Sequence, residues 1–433
     1  MTRYVIVGNS AGGIGAVEGI REVDAEGQLV LISDEPHPAY SRPLISEYLA
    51  GEKSWREMLY RDERFYERRR VETHLGQRVQ RLDLSGWLEL KGGERLEWDR
   101  LLLATGGRPI VPPMPGRDLE GVYTFTTLED ARALSAGIAN ARTAVVVGGG
   151  LIGLSVAEAL LKRGLSVHLI ELRERVLSLV LDETASRMVE NRLRQAGIQV
   201  ITDASVAAIA PRSSDPSRLG SVTLKSGPEL PCDVVVVAIG VSPRVDLAAQ
   251  AGLVVNRGIA VDRQMATSAP GVYACGDAAE AYDFVHAASR VVPIWPSAYL
   301  GGRIAGLNAA GRPHAYPGGT SMNSLKYFGL CVASAGEITA DGDPELKTIA
   351  GGIHQGRYRK VALRDGRVVG FVMAGEVEAA GLLLGLMRDG VSVRGYEAAL
   401  VEKGFNLMAL PAALRRERLH KLPSRTSASP AQA

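Results

Sequence analysis

Cysteine is scarce, with three in 433 residues. Cys232, Cys275 and Cys331 are scattered, which rules out a disulfide scaffold. They form no CxxC or CxxxxC pair, so neither dithiol chemistry nor a clustered metal site is indicated. Charge bias is also missing. Fifty Lys and Arg against 48 Asp and Glu leave a net charge of +2, which predicts no general affinity for nucleic acid. No apolar run approaches the ~20 residues needed to span a bilayer. A signal peptide is not expected either, because the strand candidate Tyr4–Val7 begins at once and runs into a glycine loop. The expected compartment is the cytoplasm. Glycine, by contrast, is in excess. Its 49 residues are about 11% of the chain against a usual ~7%. No collagen-like period explains them, so glycine loops that approach phosphates become the feature to find.

A length of 433 residues allows two to four domains at roughly 100–200 residues each. Two segments share one design. Tyr4-Val-Ile-Val-Gly8-Asn-Ser10-Ala11-Gly-Gly13 is an apolar strand entering a glycine turn and then an alanine-rich helix. Ala144-Val-Val-Val-Gly148-Gly-Gly150-Leu151-Ile152-Gly153 repeats it. Each is followed by a second strand ending in an acid, Leu29–Ser33 before Asp34-Glu35 and Val167–Ile170 before Glu171. Each then reaches an apolar strand entered by an Asp, running from Asp99 to Ala104-Thr105-Gly106 and from Asp233 to Ala238-Ile239-Gly240. Strands alternating with helices predict parallel, doubly wound sheets, hence an α/β fold with two Rossmann-like units. Proline-rich joints at 109–115 and 241–243 mark where the units are left. An apolar helix is expected near 296–310. Beyond about 320 the character changes to α+β: Arg357–Leu363 and Arg367–Met373 flank an Asp-Gly turn, which predicts a hairpin, with a helix near 377–388.

Gly148-x-Gly150-x-x-Gly153 carries the clearest chemistry. Its first glycine permits the tight turn, its second lets backbone approach a pyrophosphate, and its third allows close helix–strand packing. The helix N-terminus then offers N–H groups and a positive dipole end to the phosphates. Glu171 lies at the spacing expected of the acid that binds a ribose. A carboxylate there favours NAD(H) over NADP(H), although Arg173 and Arg175 stand close by. In the N-terminal loop, Ser10 replaces the middle glycine; it is small enough for close approach, and its hydroxyl suits a phosphate. Asp34 or Glu35 is the candidate for that ribose.

These residues together resemble the FAD-dependent pyridine nucleotide–disulfide oxidoreductase family. Four places are similar: the loop at Gly8–Gly13, the segment Asp99–Gly106, the loop at Gly148–Gly153, and Thr267-Ser-Ala-Pro-Gly-Val-Tyr-Ala-Cys-Gly276-Asp277. The resemblance implies an FAD-binding domain at 1–115 and 245–318, with an NAD(P)-binding domain inserted at 116–244. It further implies a C-terminal α+β interface domain at 319–410; a basic tail, expected to be disordered, fills 411–433. FAD contacts are implied for Gly8, Ser10, Ala11, Gly13, Glu35, Ala104, Thr105, Gly106, Gly276 and Asp277, whose carboxylate would meet the ribityl chain. NAD contacts are implied for Gly148, Gly150, Leu151, Ile152, Gly153, Glu171 and Gly240. The stretch His37-Pro-Ala-Tyr-Ser-Arg42-Pro43 looks like the rubredoxin, ferredoxin and nitrite reductase branch, which implies FAD contacts from Arg42, Pro43, Val79, Arg108 and Trp295.

Two positions depart from the family. Its thiol-dependent members place a redox cysteine where Tyr40–Ala50 has none, and Ser155 stands where many relatives carry a Glu near the nicotinamide. Cys275 reads as a buried, inert thiol. Hydride exchange between nicotinamide and flavin needs no protein acid or base, so no catalytic residue is named and His286 reads as structural. Without a cysteine relay the expected acceptor is an iron–sulfur carrier or iron–sulfur enzyme subunit, reached as a component of a larger redox system, with an oligomer or multi-subunit complex allowed. NADH oxidase or peroxidase activity and a non-catalytic redox sensor are the alternatives. Arginines at 56–70, and Arg415, Arg416, Arg418, Lys421 and Arg425, are candidate docking charges for an acidic carrier.

Overall fold

The computed structural model describes residues 1–339, 343–412 and 414–416. The chain forms two compact units. The larger holds residues 1–179, 186–322 and 327–329, and the described remainder forms the smaller.

In the larger unit, β1 (Arg3–Val7) leads through the first glycine loop into α1 (Ala11–Val23) and β2 (Gln28–Ser33). β3 (Val71–Leu75) and β4 (Arg100–Leu103) extend the sheet on either side. A second sheet is built from β5 (Val122–Tyr123), β6 (Thr143–Val147), β7 (Ser166–Ile170), β8 (Gln199–Ile201) and β9 (Val234–Val237), in the order β8-β7-β6-β9-β5. Between β5 and β6 lies α2 (Leu128–Gly137), and α3 (Leu151–Lys162) comes after the second glycine loop. The chain then returns to the first sheet as β10 (Val272–Ala274), paired in parallel with β4, which completes the order β10-β4-β1-β2-β3. Both sheets are wholly parallel and share one winding. Their central strands are continuous apolar runs, as strands buried on both faces require.

The acids that enter β4 and β9 have a mechanical role. Asp99 Oδ2 accepts the Arg3 N–H at 2.7 Å, at the start of β1. Asp233 Oδ2 accepts the N–H groups of Arg142 and Thr143 at 2.9 and 3.1 Å, at the start of β6. The proline-rich joints meet as a short antiparallel ribbon, Gly107–Pro109 against Val241–Pro243, where the chain leaves and re-enters the first sheet.

The last large element of this unit is α4 (Trp295–Ala309), laid against α1. Glycines set how close the two helices come. A β-carbon on Gly15 would stand 2.3 Å from the Tyr299 carbonyl oxygen, one on Gly19 2.3 Å from that of Arg303, and one on Gly306 2.4 Å from that of Ala16. Backbone therefore packs on backbone, and much of the glycine excess serves this seam as well as the loops.

The smaller unit carries a sheet in the order β11 (Met322–Tyr327), β12 (Leu330–Gly336), β15 (Arg367–Ala374), β14 (Tyr358–Arg364) and β13 (Lys347–Ala350), with α5 (Ala380–Arg388) against β15. The expected hairpin is present. Asp365 and Gly366 both take positive φ, 52° and 71°, the geometry that a two-residue hairpin turn demands.

Candidate functional site

Both glycine loops lie at the carboxyl ends of central strands, beside the point where the strand order reverses, which is where open α/β sheets bind ligands. They are built alike. Gly8 N–H donates to the Ile32 carbonyl at 2.8 Å, and Gly148 N–H to the Ile170 carbonyl at 2.8 Å. A β-carbon on Gly13 would stand 1.9 Å from the Gly8 carbonyl oxygen; on Gly153 it would stand 1.8 Å from that of Gly148. These contacts press each helix onto its strand and aim its N-terminus along the loop.

Each loop runs into an open helix end. Ser10 caps α1 and Gly150 caps α3, yet neither makes a side-chain cap bond, and neither first turn contains an acid. In contrast, α2 is closed by a full capping box between Thr127 and Asp130. A β-carbon on Gly150 would meet nothing within 4 Å. Uncapped N–H groups at a positive dipole end, with space in front of them, fit a pyrophosphate. Ala11, Leu151 and Ile152 begin these two helices.

The acids sort themselves by their partners. Glu171 Oε2 accepts the Gly149 N–H at 2.6 Å, and Oε1 accepts the Arg173 N–H at 2.8 Å. Its carboxylate is thereby fixed at the lip of the second loop. The Arg175 guanidinium pairs with Glu174. At the first loop Asp34 is engaged by Arg244 at 2.8 Å, whereas Glu35 turns inward. Glu35 accepts the Tyr40 hydroxyl at 2.5 Å and pairs with Arg42. Pro43 lies next in a short turn, Arg42–Leu44.

Ala104, Thr105 and Gly106 leave β4 beside Gly8, where a β-carbon on Gly8 would stand 2.1 Å from the Ala104 carbonyl oxygen. The Thr105 hydroxyl donates to the Arg244 carbonyl at 2.7 Å. Gly276 and Asp277 come just after β10. Burial pushes the Asp277 carboxyl up and the nearby Arg42 guanidinium pulls it down, leaving it above the ordinary carboxylate range. Trp295 opens α4 with its ring edge-on to Tyr60 at 4.8 Å between centroids. Val79 begins the strand Val79–Asp83, just beyond Gln77, whose N–H bonds the Ser33 carbonyl at the end of β2. Gly240 lies beyond β9 with φ of 123°. Arg108 is exposed, its guanidinium on Asp246 at 2.8 Å.

Several other residues that the sequence singles out are engaged locally. Cys275 is fully buried, and burial pushes its thiol up to about 12. His286 holds the buried Asp283 at 3.0 Å. Ser155 donates to the Leu151 carbonyl one turn back at 3.0 Å. Within 56–70, Arg61 pairs with Glu18, Arg68 with Asp62 and Arg70 with Glu26, which neutralises much of the expected docking charge. Arg418, Lys421 and Arg425 lie outside the described residues. Among the described residues no cluster of three or more His, Cys, Asp or Glu is arranged for a metal, and no helix is long and apolar enough to cross a membrane.

The stretch His37–Pro43 is singled out by the sequence, but the role of Tyr40 within it is not. Tyr40 lies between His37 and Arg42 with no local signal of its own, yet its hydroxyl also accepts the Leu128 N–H at 2.9 Å. Arg42 donates to the Thr126 carbonyl at 3.0 Å. Those partners are more than 80 residues away, so no local pattern announces them.

Two open-ended dinucleotide loops on two parallel sheets, with only the buried, protonated Cys275 thiol beside the first, define a flavin- and nicotinamide-dependent oxidoreductase. Residues 2–291 match the family model described as pyridine nucleotide-disulphide oxidoreductase, and residues 322–391 match the rubredoxin NAD+ reductase C-terminal domain. The chain belongs to the pyridine nucleotide–disulphide oxidoreductase family, and it is an NAD(P)H-dependent enzyme that uses FAD. It is 32% identical over 390 residues to the NADH-dependent phenylglyoxylate dehydrogenase subunit epsilon of Aromatoleum evansii, covering 89% of this chain and 91% of that one. It is 31% identical over 390 residues to the nitrite reductase [NAD(P)H] of Bacillus subtilis; the match covers 89% of this chain but only 47% of that larger protein. Among solved structures, the ferredoxin reductase for the CYP199A2 system from Rhodopseudomonas palustris superposes with a TM-score of 0.84 at 27% identity, covering 94% of this chain and 99% of that one.

Proposed function

We propose that the protein moves reducing equivalents between NAD(H) and an iron–sulfur protein, as the electron-entry component of a larger redox system. The carrying observation is the pair of alike, uncapped dinucleotide loops together with a site whose one neighbouring cysteine is sealed in the core. Bound FAD accepts a hydride from nicotinamide and can release electrons singly. The chain's residues bind and orient. The α1 and α3 N-termini take the two pyrophosphates. Glu35 and Glu171 take the adenosine riboses of FAD and NAD(H), and Asp277 accepts a hydrogen bond from the FAD ribityl chain. Trp295, packed edge-on against Tyr60, stands on the helix beside the flavin. On this reading residues 1–115 with 245–318 hold FAD, 116–244 hold NAD(H), and 319–410 form the interface domain. The relatives named as a ferredoxin reductase, a nitrite reductase and a dehydrogenase subunit support an iron–sulfur acceptor within a multi-subunit system. Three unbridged cysteines suit a cytoplasmic setting.

The test is anaerobic stopped flow. NADH should bleach the bound flavin rapidly, and a ferredoxin should reoxidise it faster than air-saturated buffer does. Oxygen outpacing every iron–sulfur acceptor would assign the protein to the oxidases instead, and a flavin that neither NADH nor NADPH bleaches would remove the enzyme reading.

A further inference from the structure

Glu35 is tied to more than its own loop. The hydroxyl of Tyr40 donates to Glu35 at 2.5 Å and accepts the Leu128 N–H at 2.9 Å. Leu128 is the first residue of α2, so one hydroxyl bridges the carboxylate and the start of that helix. Arg42 makes a parallel link, pairing with Glu35 and donating to the Thr126 carbonyl at 3.0 Å. The receiving segment is stiff. Asp130 accepts the Thr126 and Thr127 N–H groups at 2.7 and 3.0 Å and closes the capping box with Thr127. Just beyond, His37 meets Glu129 at 2.7 Å. α2 in turn abuts the nicotinamide-side helix: Arg163, the residue after α3, donates to Ser135 of α2 at 3.3 Å and to the Leu49 carbonyl at 2.9 Å. A continuous run of bonds thus joins Glu35 to the far end of the helix whose N-terminus forms the second dinucleotide loop.

We propose that Tyr40 is a positioning residue that couples the two nucleotide sites, so that FAD held at Glu35 raises the affinity of the second loop for NAD(H). This rests on the assignment of Glu35 to the FAD ribose. An ionised carboxylate has about four lone-pair sites. Tyr40 and Arg42 use two, leaving acceptors for a ribose without breaking the bridge. Ligand that immobilises Glu35 therefore immobilises Tyr40, the first turn of α2 and, through Ser135 and Arg163, α3. Coupling of this kind is reciprocal, so NAD⁺ must tighten FAD by the same factor.

The experiment measures FAD dissociation from the full-length holoprotein by flavin fluorescence, with and without saturating NAD⁺. Wild type should hold FAD at least about fivefold more tightly with NAD⁺, the lower end of ordinary coupling. Tyr40→Phe should keep the ring and bind FAD, but lose the NAD⁺ effect to within about twofold, below that ordinary range. Ser135→Ala cuts the same run at its other end, between α2 and Arg163, and should give the same loss. Glu35→Gln should weaken FAD itself. An NAD⁺ effect undiminished in both bridge variants overturns the coupling. If Glu35→Gln leaves FAD affinity unchanged, the ribose assignment fails and takes the coupling with it.

Discussion

A β-carbon on Gly302 would stand 2.0 Å from the carbonyl oxygen of Gly12, so α1 and α4 meet there with no side chain between them. The obstruction is backbone, which cannot swing away. Gly302→Ala should therefore force the helices apart and cost about 1–3 kcal/mol or more, the usual penalty of overpacking. Gly381, on the exposed face of α5, provides the contrast. A β-carbon there meets nothing within 4 Å, and Gly381→Ala should stabilise by up to about 1 kcal/mol. Thermal unfolding of the two holoproteins should move in opposite directions.

Glu171 is held by two backbone N–H groups and stands at the lip of the second loop. On the proposed assignment, Glu171→Ala deprives a ribose of a charged acceptor, worth roughly 1.5–3 kcal/mol. The kcat/KM for flavin reduction by NADH should fall about 10- to 100-fold, the rate equivalent of that energy. Because the repulsion of a 2′-phosphate is removed too, NADPH should lose less or gain. An unchanged NADH-to-NADPH ratio would count against this carboxylate as the selector.

Burial pushes the thiols of Cys275 and Cys232 up to about 12. Both stay protonated, and hence poorly nucleophilic, throughout the working range. Iodoacetamide at pH 8 should leave both unlabelled in the folded protein while reaching them in urea. Flavin reduction by NADH should show no thiol ionisation between pH 7 and 10. Labelling of Cys275 with parallel loss of activity would restore a thiol role.

Burial opposes ionisation of Asp233, but the N–H groups of Arg142 and Thr143 and the Arg212 guanidinium overcome it and hold the carboxyl below its ordinary range. A depressed folded-state pKa means that the stabilisation is present above the unfolded value and is lost as pH falls through the folded one. Asp233→Ala should cost about 1–3 kcal/mol at pH 7. The gap in melting temperature between wild type and variant should narrow as pH drops from 7 toward 3.

Much of this architecture is legible in the chain. The strand–glycine–helix runs at Tyr4–Gly13 and Ala144–Gly153 declare themselves because a buried parallel strand, a tight turn and an anion-binding helix end each constrain nearby residues. The Asp-Gly hairpin at 365–366 is readable for the same reason. Long-range relationships are not. Gly15, Gly19 and Gly306 look like ordinary helix glycines until two helices from opposite ends of the larger unit's sequence are laid together. Asp99 and Asp233 stand out as a repeated pattern, but only the structure shows them clamping the starts of β1 and β6. The partners of Arg61 and Arg70 are hidden because Glu18 and Glu26 are distant in sequence. Residue chemistry alone does not separate Asp34 from Glu35; in the structure Arg244 engages the first and Tyr40 the second.

β10 joins β4 only after the whole second sheet has been threaded between them. A ribosome therefore delivers every strand of the second sheet before the last strand of the first. The second sheet can close its hydrogen bonds while the first still presents an open β4 edge. Newly made chains must pass through a stage in which that bare edge waits for Val272–Ala274, and unpaired strand edges invite wrong partners. Of the two parallel sheets, the one begun first is therefore the one finished last.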